Sequence, residues 1–180
     1  KIDNTVNSFK TIDLWLNTPH VSIPIANGFY TIEIGNVKIS DRGERLSIDS
    51  LHMVSQYPKM EFAYRHPTHK DWFDLTLGKT KITGIDLPYY FSDNILKIED
   101  VQIRNGQLGN FKNQQIEIEH NIMPMIYETL QKAPLKFDVG NMNVKNFSVI
   151  YEGLAKKATD PGKIFFTGMD GHISGLTNIV

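Results

Sequence analysis

Two histidines in RHPTHKDW, His66 and His69, stand just ahead of Asp71 and Asp74, and together they have the residue types of a metal site. Imidazole and carboxylate suit zinc, but a proline-containing loop does not fix ligand geometry as a helix face would, and no third ligand is specified. An exposed polar loop accounts for the same residues. Glu117 and Glu119 alternate in IEIEH and so share one strand face, as an acid/base carboxylate pair would. Two outward acids on a solvated strand account for them as well. No G-x-S-x-G elbow, phosphate-cradling glycine loop or H-E-x-x-H helix occurs in the 180 residues. Cysteine is absent, which excludes disulfides, thiolate metal sites and a Cys nucleophile. The expectation is a non-enzymatic protein with no cofactor and no resident metal.

A different chemistry is offered by LPYYFSD, where Tyr89, Tyr90 and Phe91 follow Pro88, with Trp15 and Trp72 as further large rings. Read as a loop, this cluster could be a sugar platform or a membrane-interface contact. More often such a loop plugs the open end of a sheet.

The elements that must position these groups show an unusual rhythm. In FDVGNMNVKNFSVIYE (Phe137 to Glu152) apolar residues alternate, but the phase slips twice. A one-residue slip in a pleated strand sends every later side chain to the wrong face. The same template (apolar, any, apolar, two residues, apolar, any, apolar) recurs at Ile32, Ile34, Val37, Ile39 and at Leu46, Ile48, Leu51, Met53. It continues at Leu75, Leu77, Thr80, Ile82, at Leu96, Ile98, Val101, Ile103, and at Phe137, Val139, Met142, Val144, with a degraded copy at Ile164, Phe166, Met169. The gap pairs are small, polar or turn-forming: Gly35-Asn36, Asp49-Ser50, Gly78-Lys79, Glu99-Asp100, Gly140-Asn141, Thr167-Gly168. Such residues suit a β-bulge that bends the strand and restores the phase in space. Strands bent alike make a strongly curved sheet, apolar on one side. The fold expected is therefore mainly β: a curved antiparallel sheet, as a half-pipe or a partly closed groove or sandwich, with one or two short helices.

Further β-like runs are read in PKMEFAYRHP and NQQIEIEH, a helix at about Met123 to Gln131, and a second helix in TVNSFKTIDLWL near the N-terminus. No linker divides the chain, so residues 1–180 read as a single domain. With 41% apolar residues it can bury roughly 70% of its unfolded surface. A net charge of -1 argues against nucleic acid or an anionic bilayer held by bulk electrostatics. No run of 18 apolar residues crosses a bilayer, and a start at Lys1 reads as a processed or excised piece, leaving room for an anchor elsewhere.

The clearest pair of copies, LKIEDVQIRNGQL (Leu96 to Leu108) and FDVGNMNVKNFSV (Phe137 to Val149), share an added basic-Asn-x-x-apolar ending, Arg104-Asn105 with Leu108 and Lys145-Asn146 with Val149. With GKIFF and GHISGLTN downstream, this resembles the strands of AsmA-like proteins, the bacterial branch of the repeating β-groove group that includes TamB and the chorein-type bridge lipid-transfer proteins. The resemblance covers roughly Leu46 to Asn178. It implies an envelope protein of the bacterial periplasm, tethered to the inner membrane by an anchor outside this segment, whose apolar trough holds lipid acyl chains and is completed by neighbouring repeats. The lipid-facing positions would be those of the four clearest copies, from Ile32 to Ile39, Leu46 to Met53, Leu96 to Ile103 and Phe137 to Val144. The alternative is a secreted β-sandwich adhesion module that binds glycan or protein through Tyr89, Tyr90 and Phe91. A parallel β-helix ranks last, because the template starts at uneven intervals.

Overall fold

The computed structural model describes residues 16–40, 45–65, 70–116, 130–131 and 133–179. Among these residues, alternating apolar side chains, many of them β-branched, give nine strands: β1 (Leu16–Ile25), β2 (Tyr30–Ser40), β3 (Arg45–Ile48), β4 (Ser50–Ser55), β5 (Trp72–Leu77), β6 (Thr80–Thr83), β7 (Ile95–Asn113), β8 (Lys136–Leu154) and β9 (Gly162–Thr177). They form one curved mixed sheet that does not close into a barrel. β3 with β4, and β5 with β6, are two halves of bent strands. β2 pairs with both β4 and β3, these pair with β5 and β6, and both of those pair with β7. Bent strands therefore lie side by side in chain order, from the β1 edge to the β9 edge.

The antiparallel sheet expected from the sequence is corrected at one junction. β7 and β8 are parallel over their full length, from Ile95 opposite Lys136 to Asn113 opposite Leu154. Two neighbouring parallel strands need a long return connection, which residues 114–135 provide. Of the expected helix at 123–131, only residues 130–131 are described, and they are helical. The expected N-terminal helix lies outside the described residues except at Leu16, which begins β1. Among the described residues there is no second sheet, and no helix is long and apolar enough to cross a membrane.

PKMEFAYRHP also differs from its reading as a strand, because Lys59–Arg65 forms helix α1. The alternation of Met60, Phe62 and Tyr64 mimics a strand, yet Phe62 and Ala63 are buried while Met60 and Tyr64 fall on the outward stripe, four residues apart. Glu61 and Arg65 pair across one turn, with Nε to Oε1 at 3.0 Å. Phe62 packs on the rings of Phe29 and Tyr30, with centroids 5.7 and 5.3 Å away. The aromatic loop is likewise a helix, α2 (Leu87–Asp93). Asp86 Oδ1 accepts from the Tyr89 N–H at 2.9 Å, Pro88 occupies the first turn, and Asn94 closes the helix at φ 56°.

Candidate functional site

How the phase slip is resolved decides which side chains share a face. Across β2 and the β3–β4 strand the register is unbroken: Ile34 faces Leu51 on one side of the gap and Lys38 faces Ser47 on the other. The same holds at every antiparallel junction from β1 to β7, because adjacent strands carry the interruption at matching positions. The bends are thus shared, and the single-strand bulges expected from the sequence are replaced by bend lines that run across the sheet. Among the described strands, a register shift occurs only between β8 and β9, around Phe147.

Two such lines exist. The first passes through Gly35-Asn36, Asp49-Ser50, Gly78-Lys79, Arg104-Asn105 and Lys145-Asn146. On it Asn36, Asn105 and Asn146 adopt left-handed backbone at φ 52°, 60° and 55°, a conformation asparagine tolerates better than most residues. Asn146 Nδ2 donates to Asn105 Oδ1 at 2.7 Å, and its backbone N–H donates to Asp170 Oδ1 at 2.8 Å. The second line passes through Gly84, Glu99, Gly140 and Gly175, with Gly84 and Gly175 at φ 67° and 65°. The gaps Glu99-Asp100 and Gly140-Asn141 belong to this second line, whereas the other gap pairs read from the template belong to the first.

Because every strand slips together, apolar residues meet apolar residues from edge to edge. One row runs Leu16, Ile39, Leu46, Ile82, Val101, Met142, Ile173, each opposite the next. Another runs Ile23, Ile32, Met53, Leu75, Leu108, Val149, Phe166. Between them, Val21, Ile34, Leu51 and Leu77 lead to Gly106 and Phe147. A methyl group at Gly106 would collide with the Phe147 ring, so the bare backbone there makes room for it. The opposite face carries a polar row: Lys38, Ser47, Lys81, Gln102, Asn143, His172.

All sixteen groove positions read from the sequence share this face. Ile98, Val101 and Val139 are buried in one cluster, with Leu96, Ile103, Phe137 and Met142 packed against it beside Ile82, Ile85 and Leu176. Ile98 and Val101 are thus on the same side of a strand whose phase slips between them. Ile32, Ile34, Val37, Ile39, Leu46, Ile48, Leu51, Met53 and Val144 are half-buried. The groove set read from the sequence leaves out β1 and the far halves of β7 and β8, namely Val21, Ile23, Leu108, Phe147, Val149 and Tyr151, although Leu108 and Val149 end its two paired copies. Alternation in VSIPI (Val21 to Ile25) was the available signal, obscured by its proline.

The face is not evenly covered. Its α2 end holds the buried cluster, with Val101 and Val139 each 6% exposed. At its other end Phe73, Tyr151, Ile164 and Phe166 are 37%, 36%, 57% and 56% exposed. There α1 packs on β5 and β7 and lies against the reverse face, where Phe111 is buried beneath Lys59 Nζ, 5.6 Å from the ring centroid. Glu152 bridges Lys59 and Lys163, the latter at 3.4 Å. Burial pushes the Glu152 carboxyl up, but the two ammonium groups outweigh this and hold it below the usual carboxylate range. Burial also pushes the Tyr30 hydroxyl up, partly offset as it accepts the Phe73 N–H at 3.1 Å.

The other candidates are less well assembled. His66, His69, Glu117 and Glu119 lie outside the described residues. Asp74 Oδ2 is paired with His52 Nε2 at 3.1 Å. No group of three or more metal-ligating side chains occurs among the described residues. On α2, Phe91 is 80% exposed, but Tyr90 is half-buried and its ring meets that of Phe91 at 63°, so the two do not make a flat platform. Tyr89 lies 5.9 Å from Lys97 Nζ. No family model, curated protein or solved structure matches this chain.

Proposed function

We propose that this chain is a non-enzymatic lipid-binding module whose curved apolar face holds acyl chains, and that it belongs to an AsmA-like protein of the bacterial envelope. The observation that carries this reading is the edge-to-edge continuity of apolar rows through two bend lines, with most of their side chains half-buried. An ordinary one-sheet core would be covered by a layer of helices or a second sheet. Acyl burial contributes about 0.8 kcal/mol per methylene, giving affinity with little head-group selectivity. Membrane tethering and completion of the trough by neighbouring repeats are parts of the same proposal.

The test is organic extraction and mass spectrometry of the purified chain, with uptake of a fluorescent fatty acid. Co-purifying phospholipid and saturable uptake are expected. Ile34→Glu with Leu51→Glu, on the half-buried part of the face, should abolish uptake and leave the fold intact by circular dichroism. Absence of both lipid and uptake in the unaltered chain would sink the reading. Loss of uptake on replacing Tyr89, Tyr90 and Phe91 by Ala would move the site to α2.

A further inference from the structure

The apolar face changes character along the strands, and the charge around it changes too. At the α2 end the face is sealed by Ile98, Val101 and Val139, and the flanking carboxylates Asp86, Asp93, Glu99 and Asp138 outnumber the ammonium groups of Lys97 and Lys136. At the opposite end the last row runs Phe73, Asn110, Tyr151, Ile164, and its three apolar members are exposed, Phe73 and Tyr151 even on inner strands. That end also carries exposed cations in the β8–β9 connection, Lys156 and Lys157, with Lys163 at the start of β9, against one exposed carboxylate of the same connection, Asp160. Beside them Phe165 is 68% exposed, and on α1 Tyr64 and Met60 are 64% and 42% exposed. The bridge from Lys59 through Glu152 to Lys163 ties α1 to the β8–β9 end on the reverse face, so Phe165, Tyr64 and Met60 stand behind the row of Phe73, Tyr151 and Ile164 and the two sides share this end of the sheet.

Exposed aromatic and aliphatic side chains among lysines are the composition of a membrane-interface contact, in which apolar groups enter the acyl boundary and ammonium groups meet anionic headgroups. The carboxylates at the α2 end would be repelled by such a surface. From this asymmetry we infer that an anionic lipid bilayer docks on the end formed by α1 and the β8–β9 connection, and that acyl chains enter the apolar face there. The inference rests on the lipid-binding reading and gives it a direction. The occupant is a bilayer surface, because the patch combines an open apolar row with cations at its rim, whereas a soluble anion would need only the cations.

The experiment is co-sedimentation of the full 180-residue chain with vesicles of phosphatidylcholine, pure or containing about one-third phosphatidylglycerol, at low and high salt. Binding to the anionic vesicles should exceed binding to neutral ones by about 10-fold or more, and should fall as salt screens the charges. Lys156→Glu with Lys157→Glu should lower anionic-vesicle binding by about 30-fold or more. Lys97→Glu with Lys136→Glu, at the sealed end of the 19-residue strands, should change it by no more than about 2-fold, since the ends lie several screening lengths apart. Binding that ignores headgroup charge, or that both double variants reduce equally, overturns the docking assignment. Uptake of a monomeric fluorescent fatty acid separates the two proposals. If the unaltered chain takes it up but does not bind vesicles, only the docking end is wrong; if it takes up none, the lipid-binding reading fails first. The Lys156 and Lys157 variant should retain that uptake, which also shows it is folded.

Discussion

Glu152 joins three elements through two lysines, with its own side chain 13% exposed and those of Lys59 and Lys163 34% and 55% exposed. A carboxylate this enclosed depends on its partners, and the partners are screened by solvent. Glu152→Gln is expected to cost about 1 kcal/mol in urea unfolding at neutral pH, because it leaves Lys59 near Phe111 without a countercharge. The pH dependence follows from the lowered carboxyl. A group whose folded pKa lies below its unfolded value stabilises the fold above the ordinary carboxylate range, and that contribution fades as pH falls through the range and then through the folded value. The unaltered protein should therefore lose this increment on acidification, and the Gln variant should lack that part of the pH profile. Equal acid sensitivity in both proteins would show that the network contributes nothing to stability.

Within single strands, the first bend line depends on asparagine at left-handed backbone, and this gives a test at the scale of β7 and β8. Asn146→Ala places a Cβ at φ 55° and removes the bond to Asn105, so a loss of about 2 kcal/mol is expected in chemical denaturation. Asn146→Gly keeps the backbone free and should lose only about 1 kcal/mol. If the two variants are equally destabilised, the left-handed turn is not what asparagine is there for. This element was legible in the sequence because period-2 alternation survives on either side of a two-residue gap, and a gap of Gly, Asn, Asp or Ser announces a bend. The sixteen groove positions on β2, β3, β4, β7 and β8 fell on one face for that reason. The partition of the gaps into two lines was not legible, since it depends on which strand lies beside which. Nor was the parallel pairing of β7 and β8 (Ile95 beside Lys136), because hydrophobic period is identical in parallel and antiparallel strands. α1 and α2 were misread for a local reason: alternation over a run as short as Met60 to Tyr64 fits a strand as well as it fits one helical turn and a half. In α2 the signals of Asp86, Pro88 and Asn94 were present as a cap, a first-turn proline and a left-handed stop, but the aromatic cluster between them drew the reading towards a loop.

Across the whole molecule, the sheet has two ends of unequal solidity. The buried cluster of Ile98, Val101 and Val139 anchors one end, Phe62, Phe111 and Leu154 are buried at the other, and a broad half-buried apolar surface lies between. A surface of that kind is costly to leave wet, so an occupant that binds only the folded sheet must stabilise it by mass action. At a free ligand concentration about 100 times the dissociation constant, the gain is about 2.7 kcal/mol. For a chain of 180 residues this corresponds to a rise in Tm of about 5–10 °C. A long-chain fatty acid is expected to produce that rise in calorimetry, and a short-chain acid with the same carboxylate should produce almost none, because only the methylenes differ. The variant carrying Ile34→Glu and Leu51→Glu should show no ligand-dependent shift; its own Tm falls, because the two carboxylates face each other across β2 and β4, but the transition stays cooperative, since both positions are half-buried and lie away from the anchoring cluster. Val101→Asp, at 6% exposure inside that cluster, should instead unfold the protein whether or not ligand is present. A fatty-acid shift that persists in the double-Glu variant would place the acyl chain somewhere other than the apolar rows.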